Sequence, residues 1–231
     1  MNIGIIGAGQ IGGTLTRKLS ALGHQVFVAN SRGGHSLDAL TKETGAKAVS
    51  VKEAARAGEI VVVTIQEPRI KDLPNDLFEG VSADVVVVDT GNYYPRQRDG
   101  AIDEIEAGTL ESVWVSKTLG RPVIKAFNNI YAKSLADKGT PAGTPSRVAL
   151  PVAGDDAKSK QRIMDLINAL GFDPVDAGPL SESWRQQPAT PVYCADFDVT
   201  GVKQALAEAR PERQPDWQAT PDSPGTFEDP R

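Results

Sequence analysis

Asn2-Ile3-Gly4-Ile5-Ile6-Gly7-Ala8-Gly9-Gln10-Ile11-Gly12 opens the chain, and its reading decides the fold. An apolar strand runs into a Gly-x-Gly-x-x-Gly loop. The loop runs into a helical pattern with Ile11, Leu15, Leu19 and Leu22 on one face and a stop at Gly23. Each glycine has its own task in such a pattern: Gly7 permits the tight turn off the strand, Gly9 lets backbone approach a pyrophosphate, and Gly12 lets the helix pack against the sheet. Gln10 and Ile11 fall in the first helical turn, whose N–H groups face the anion. A glycine loop alone is weak evidence; with the strand before it and the helix after it, it reads as a dinucleotide site.

The next strand, Gln25-Val26-Phe27-Val28-Ala29, is followed by Asn30-Ser31-Arg32. A site selecting an unphosphorylated adenosine ribose places an Asp or Glu here to hold both hydroxyls. Asn30 stands there instead, Ser31 offers a hydroxyl, and Arg32 offers a planar guanidinium to a 2'-phosphate and to the adenine face, which favours NADP(H) over NAD. Asn-Ser-Arg-Gly-Gly also reads as a plain turn. Arg32 tips the balance, because a bare turn needs no guanidinium. His35 lies close by and reads as a solvated loop histidine.

The chain has 231 residues, enough for one sizeable domain with a small appendage. Lys and Arg total 25 against 30 Asp and Glu, a formal charge of −5, and no basic cluster interleaves with aromatics, so no nucleic-acid partner is expected. No apolar run of about eighteen residues exists and Met1 leads at once into a core strand, so the expectation is a cytoplasmic protein without a membrane segment or leader. Cys194 is the single cysteine and the two histidines, His24 and His35, lack ligand spacing, so no metal site is expected.

Ser36 reads as the N-cap of a helix reaching Thr44, and Ser50-Val51-Lys52-Glu53 has the form of a capping box. Ile60-Val61-Val62-Val63-Thr64-Ile65 and Val85-Val86-Val87-Val88 are continuous apolar runs, as in central parallel strands covered on both faces. Pro122 to Phe127 is a further strand. Residues 148–152 and 173–176 read as strands flanking an amphipathic helix over 155–170. The fold class is therefore α/β, a Rossmann-type doubly wound parallel sheet with a small C-terminal portion and a Pro-rich tail. We divide it into a nucleotide-binding domain over 1–180 and a C-terminal segment over 181–231. That segment holds Trp184-Arg185-Gln186-Gln187-Pro188, a modest helix over 202–209 and a tail with five prolines, where Trp217 and Phe227 offer anchors for a docked arm rather than a disordered one.

In an open parallel sheet the reacting end of a dinucleotide crosses the carboxyl ends of the strands. Those ends carry Thr64-Ile65-Gln66, then Asp89-Thr90-Gly91-Asn92-Tyr93-Tyr94, then Phe127-Asn128-Asn129-Ile130. Gly91 permits close backbone approach, while Asn92 and Asn128 can hydrogen-bond a carboxamide or ribose, or else act as turn and cap residues. The expected cofactor contacts are thus Gly7, Gly9, Gln10, Ile11, Gly12, Asn30, Ser31, Arg32, Thr64, Ile65, Gln66, Thr90, Gly91, Asn92 and Asn128. For the substrate, Tyr93 and Trp184 are candidate stacking walls, Arg185 a candidate anion contact, and Asn129 a further candidate. Lys125 reads as structural or edge-facing. No Ser-His-Asp group, Tyr-x-x-x-Lys pair or edge histidine supplies an acid for carbonyl reduction, so the catalytic residue is unassigned. A conjugated ring needs less help, because it delocalises the charge that arrives with hydride.

The segments Gly7 to Gly12, Asn30-Ser31-Arg32, Lys125-Ala126-Phe127-Asn128-Asn129-Ile130, Pro151-Val152-Ala153-Gly154-Asp155-Asp156 and Val175-Asp176-Ala177-Gly178-Pro179-Leu180 together resemble the coenzyme F420-dependent NADP oxidoreductases and related bacterial dinucleotide-binding enzymes. The resemblance covers residues 1 to about 200. The Lys-Ala-Phe-Asn run is similar also to the cytosolic domain of the six-transmembrane metalloreductases. The resemblance implies a Rossmann domain with a smaller C-terminal portion over the nicotinamide, direct hydride transfer between NADPH and a deazaflavin, and 2'-phosphate binding at Ser31 and Arg32. The chain departs from the pattern in Gln66-Glu67, where the deazaflavin enzymes have a Pro-containing turn, and in Asn128, where they have a histidine. The insertion Asp89 to Pro95, the segment Trp184 to Gln187 and the tail are also its own.

The leading expectation is NADPH-dependent hydride transfer to a flavin, deazaflavin or other conjugated small-molecule acceptor. The alternatives are an imine or carbonyl reductase drawing its proton from Tyr93, Tyr94 or solvent, and a non-catalytic NADP-binding redox sensor. A homodimer is expected from the fold.

Overall fold

The computed structural model describes residues 1–212, 225–226 and 229–230. Trp217 and Phe227, the expected anchors of the tail, lie outside the described residues.

Six strands, β1 (Asn2–Ile6), β2 (Gln25–Ala29), β3 (Lys47–Ala48), β4 (Ile60–Val63), β5 (Val86–Asp89) and β6 (Val123–Lys125), form one parallel sheet. Its order, β3-β2-β1-β4-β5-β6, reverses direction between β1 and β4, the switch point at which such sheets open a crevice. Ile5 of β1 stands between Val28 and Val62 in register, so the switch point is built from branched apolar residues throughout.

The continuous apolar runs follow from covering both faces of this sheet. Ile60 and Val62 face one core, while Val61 and Val63 face the other, and all four are at most 1% exposed. The first core is closed by α1 (Gln10–Ala21) with α6 (Ala132–Asp137) and α7 (Ala157–Ala169), which contribute Leu15, Leu19, Leu135, Ile163, Leu166 and Ile167. The second is closed by α3 (Val51–Ala57), α4 (Asp103–Glu106) and α5 (Glu111–Leu119), through Ala54, Ala55, Ile105, Trp114 and Val115. Burying one such valine or leucine contributes on the order of 1.5–3 kcal/mol, so the central strands need both faces covered.

Local signals resolve as their chemistry dictates. Ser50 and Glu53 form the capping box of α3: the Glu53 N–H donates to Ser50 Oγ at 3.2 Å and the Ser50 N–H to Glu53 Oε2 at 2.8 Å. Ser36, in contrast, caps no helix. It lies inside a 3-10 turn, Gly34–Leu37, and α2 (Asp38–Thr44) begins after it. Its hydroxyl donates to Gly33 O at 2.8 Å instead. The turn after β4 does contain a proline, Pro68, in the 3-10 helix Glu67–Asp72.

The strands expected over 148–152 and 173–176 exist, but outside the main sheet. β7 (Ala149–Val152) and β8 (Asp173–Asp176) form a separate parallel pair. β7 meets β6 in the antiparallel sense at one bridge, where Lys125 and Ala153 exchange N–H···O bonds of 2.8 and 3.0 Å. Pro151 and Pro174 carry no N–H, which suits short strands at a margin. The 3-10 helix Leu180–Gln186 packs on β6 and α5. Finally α8 (Val199–Glu208) packs on β7 and β8, where Val202, Ala205 and Leu206 share an apolar cluster with Ala149, Val175 and Val192. Among the described residues no helix is long and apolar enough to cross a membrane.

Candidate functional site

A cleft of about 580 Å³ opens along the carboxyl ends of β1, β4, β5 and β6. Its first wall is the glycine loop. Gly7 adopts φ +108°, and a Cβ there would stand 2.3 Å from Thr64 O, so only glycine makes this turn. A Cβ on Gly12 would stand 2.0 Å from Gly7 O and 2.7 Å from Thr64 Cγ2, which shows how closely α1 rides on the loop. Gly9 differs: beyond its chain neighbours, no atom of the described residues lies within 4 Å of where its Cβ would be, and its φ is ordinary, so its packing does not demand glycine. Gly9 is the N-cap of α1, without a side-chain cap and with no acidic residue in the first turn, so Gln10, Ile11 and Gly12 present uncapped N–H groups at a positive helix end.

At the end of β2 the turn is organised by Asn30. Its Nδ2 donates to Ser36 Oγ at 2.7 Å and its Oδ1 accepts from the Arg32 N–H at 3.1 Å. Asn30 therefore does the turn chemistry considered as its alternative role. The side chains of Ser31 and Arg32 are exposed and make no hydrogen bond among the described residues, so both project from a turn that Asn30 holds in shape.

Thr64, Ile65, Gln66, Thr90, Gly91, Asn92 and Asn128 all line the cleft. The two asparagines also bond each other and Gln186. Asn92 Nδ2 donates to Asn128 O at 2.8 Å, Asn128 Nδ2 donates to Asn92 Oδ1 at 3.0 Å and to Gln186 O at 2.7 Å, and Gln186 Nε2 donates to Asn128 Oδ1 at 2.8 Å. The three amides interlock and pin the 3-10 helix Leu180–Gln186 against β6.

Beneath the cleft lies a charged cluster. Lys125, fully buried, donates from Nζ to Asp89 Oδ2 at 3.0 Å and to Gly91 O at 2.6 Å. Asp89 also accepts from Ser112 Oγ at 2.8 Å and from the Gly91 N–H at 2.8 Å. Glu111 accepts from the Tyr93 N–H at 3.2 Å. Glu67 is wholly buried behind Gly91, and neither of its carboxyl oxygens has a hydrogen-bond partner among the described residues. Burial, then the nearby Asp89 charge, hold the Glu67 carboxyl well above the ordinary carboxylate range. Burial works against the Lys125 charge, but Asp89, Glu67 and Glu111 outweigh it and hold the ammonium above its ordinary value. Lys125 is thus the clamp that fixes the Gly91 carbonyl in the cleft wall, not an edge-facing residue.

The substrate candidates from sequence are placed elsewhere. Tyr93 is fully buried, its hydroxyl donating to Gly100 O at 3.0 Å and accepting from the Ile102 N–H at 2.9 Å, so it walls no pocket. Trp184 lines a different groove, with Ile105, Leu110 and Pro188. Arg185 lies 4.4 Å over the Trp184 ring and bonds Glu182 at 2.6 Å and Leu206 O at 3.1 Å, which fastens α8 rather than a substrate anion. Asn129 is buried; its carbonyl accepts from the Cys194 N–H at 2.7 Å.

The cleft is completed by Tyr94, Phe127 and Ile130 from the strand ends the sequence pointed to, and by Gln97, Arg98, Tyr131, Tyr193 and Cys194, which it did not single out for the site. Phe127 and Cys194 hold φ of +63° and +55°, backbone conformations that side-chain-bearing residues rarely adopt and that cluster at functional sites. Tyr94 and Tyr193 meet hydroxyl to hydroxyl. The Arg98 guanidinium lies 4.7 Å over the Tyr94 ring and donates to Asn92 O at 2.8 Å. No sequence signal joins Tyr94 to Tyr193, which lie 99 residues apart.

Comparison with known proteins places this geometry among redox enzymes. Residues 2–93 match the family described as "NADP oxidoreductase coenzyme F420-dependent". The chain is 46% identical over 103 residues to the protein YjhV of Escherichia coli K12, an alignment covering 44% of this chain and 68% of that protein. It is 26% identical over 184 residues to the 3-sulfolactaldehyde reductase of the same organism, covering 76% of this chain and 53% of the reductase, so it spans about half that enzyme's length. Among solved structures it superposes on the hypothetical protein SMa0349 of Sinorhizobium meliloti with a TM-score of 0.72 at 31% identity, covering 85% of this chain and 95% of that one. It superposes on a "putative f420 dependent nadp-reductase" of Arthrobacter sp. FB24 with a TM-score of 0.63, covering 79% and 87%; at 21% identity, this likeness is one of fold.

Proposed function

The chain belongs to the family of coenzyme F420-dependent NADP oxidoreductases, and from that premise we propose that it is an NADPH-dependent reductase whose acceptor enters the cleft at the ends of β4, β5 and β6. The observation that carries the cofactor assignment is Gly9: a glycine facing open space, at an uncapped helix N-terminus. Gly7, Gly12, Gln10 and Ile11 form the pyrophosphate cradle. Ser31 and Arg32 take the 2'-phosphate on the turn that Asn30 shapes. Thr64, Ile65, Gln66, Thr90 and Gly91 flank the nicotinamide end, with Asn92 and Asn128 supporting the wall from behind.

Bound NADPH supplies a hydride, and a flavin, deazaflavin or similar conjugated ring accepts it without a protein acid. The residues of the chain bind and orient. Lys125 fixes Gly91 from below, the Asn92–Asn128–Gln186 amides hold the β5 and β6 ends together, and Phe127 and Ile130 make the wall apolar.

Calorimetric titration with NADPH and NADH tests the assignment. Arg32→Ala should weaken NADPH binding by about 10- to 100-fold, the worth of a charge-assisted contact, and weaken NADH binding far less. Gly9→Val should abolish both while the protein stays folded, since the new side chain enters empty space. Equal losses for the two nucleotides in Arg32→Ala, or full binding by Gly9→Val, would sink it.

A further inference from the structure

We propose that Tyr94 and Tyr193 form a proton-donating pair that gives this cleft a further activity, reduction of a polarised C=N or C=O bond, with Tyr94 as the donor and Tyr193 as the residue that positions and recharges it. The inference rests on the NADPH assignment above for its hydride.

Both phenols line the cleft, from elements that the sequence leaves far apart: Tyr94 from the loop after β5, Tyr193 from the segment before α8. Their hydroxyls contact each other. Each oxygen can donate one proton and accept others, so when one phenol gives up its proton the other can donate into the phenolate left behind. The two sides of the pair are unequal. Arg98 lies 4.7 Å over the Tyr94 ring, where a guanidinium stabilises negative charge, and the Tyr94 N–H is anchored to Asp99 Oδ2 at 2.7 Å. No cation stacks on Tyr193 among the described residues, and its neighbour is the Cys194 thiol. Charge developing on the pair therefore settles on Tyr94.

The titratable groups facing the pair are Arg98 and Asp99 from the π turn Pro95–Asp99, which pair with each other at 2.6 Å, Cys194 and Tyr131 from the opposite wall, and Glu111 from α5. Burial raises both phenols above their ordinary range. The Tyr193 hydrogen bond and Arg98 pull back on Tyr94, whereas Tyr94 and Cys194 push Tyr193 up further. Both protons are present at neutral pH.

The step balances. The acceptor carbon takes a hydride from the reduced cofactor, the C=N or C=O π pair moves onto the heteroatom, the Tyr94 O–H bond breaks to protonate it, and the product is an amine or an alcohol. The Tyr94 phenolate then takes the Tyr193 proton as solvent protonates Tyr193, so that no charge rests on Tyr193. A flavin or deazaflavin ring needs only the hydride, so the two acceptor classes separate on their demand for this proton.

The test compares wild type, Tyr94→Phe and Tyr193→Phe in NADPH oxidation with FMN, 1-pyrroline, 3,4-dihydroisoquinoline and short aldehydes. NADPH affinity is measured by calorimetry, and phenol ionisation is followed by absorbance near 295 nm. Tyr94→Phe should lower kcat with the imines and aldehydes by about 10²–10⁴-fold, the usual worth of a general acid, while NADPH affinity and the FMN rate stay unchanged. Tyr193→Phe should cost about tenfold, the worth of one hydrogen bond, and should move the Tyr94 ionisation to higher pH. A wild type that binds NADPH but turns over no imine or aldehyde overturns the proposal, as does a Tyr94→Phe enzyme that loses all acceptors equally or none. A wild type that does not bind NADPH instead overturns the cofactor assignment.

Discussion

The two ends of the cleft are built by opposite means. At the phosphate end, backbone does the work: Gly7, Gly9 and Gly12 clear space, α1 offers uncapped N–H groups, and Ser31 and Arg32 project from a turn with no partner among the described residues. At the nicotinamide end, side chains do it: Lys125, Asp89, Glu67 and Glu111 are buried together, and three amides interlock above them. The first end leaves its backbone donors and its guanidinium unpaired among the described residues. The second spends most of its polar groups on one another. Substitutions at the first end should therefore change binding and spare stability, and substitutions at the second should do the reverse.

Lys125→Ala should test this hardest. It leaves Asp89 buried without its cation and releases the Gly91 carbonyl, at a cost of about 3–5 kcal/mol in urea unfolding. Unfolding unchanged within experimental error would mean the cluster does not hold the wall. Next, Asn128→Ala removes one member of the amide lock: Asn92 Oδ1 and Gln186 O lose their donor, while Asn92 Nδ2 keeps the backbone carbonyl of residue 128, so unfolding should cost about 1–3 kcal/mol. Its NADPH affinity should fall less than that of Arg32→Ala; the opposite order would make Asn128 a direct ligand contact.

A subtler contrast comes from Glu67→Gln. The Glu67 carboxyl titrates above its unfolded range, so its proton stabilises the fold fully below about pH 4.5, and that contribution is lost as pH rises through the folded value. Glutamine carries no such proton. The variant should therefore gain stability relative to wild type as pH rises from 4 to 8, and a pH-independent difference would show that Glu67 is ionised in the fold. The smallest effect belongs to the open end: Arg32→Ala should unfold within about 0.5 kcal/mol of wild type, as befits an exposed side chain with nothing to lose.

The same contrast explains what could be read from the amino acids alone. Gly7, Gly12, the apolar face of α1 and the unbroken runs in β4 and β5 are local patterns set by backbone sterics and by burial on two faces, so sheet and cradle were legible. Ser50 with Glu53 and the length of α7 were legible for the same reason. The nicotinamide end was not. Lys125 looks edge-facing until Asp89 and Gly91, more than thirty positions away, are seen to receive it. Trp184 and Arg185 looked like a substrate wall because an aromatic beside a cation has the composition of one, but they bind each other and α8. Tyr93 and Tyr94 are adjacent and alike. Only the turn of the backbone, which sends one hydroxyl to Gly100 and the other to Tyr193, decides which enters the cleft. Residues 148–176 have the periodicity of further sheet strands, and their separation rests on the direction in which β7 approaches β6, which no periodicity encodes.

Cys194 gives the chain a built-in reporter. It is the only thiol in 231 residues, and it sits in the wall of the cleft, so an alkylating dye can mark one place and no other. Burial pushes this thiol above its ordinary range, which makes labelling slow and therefore easy to time. Whatever fills the space in front of it must slow the labelling further, in proportion to the fraction of molecules occupied. Candidate acceptors can thus be ranked by the shielding of one sulfur, in the dark and without turnover, before any of them is known to be reduced.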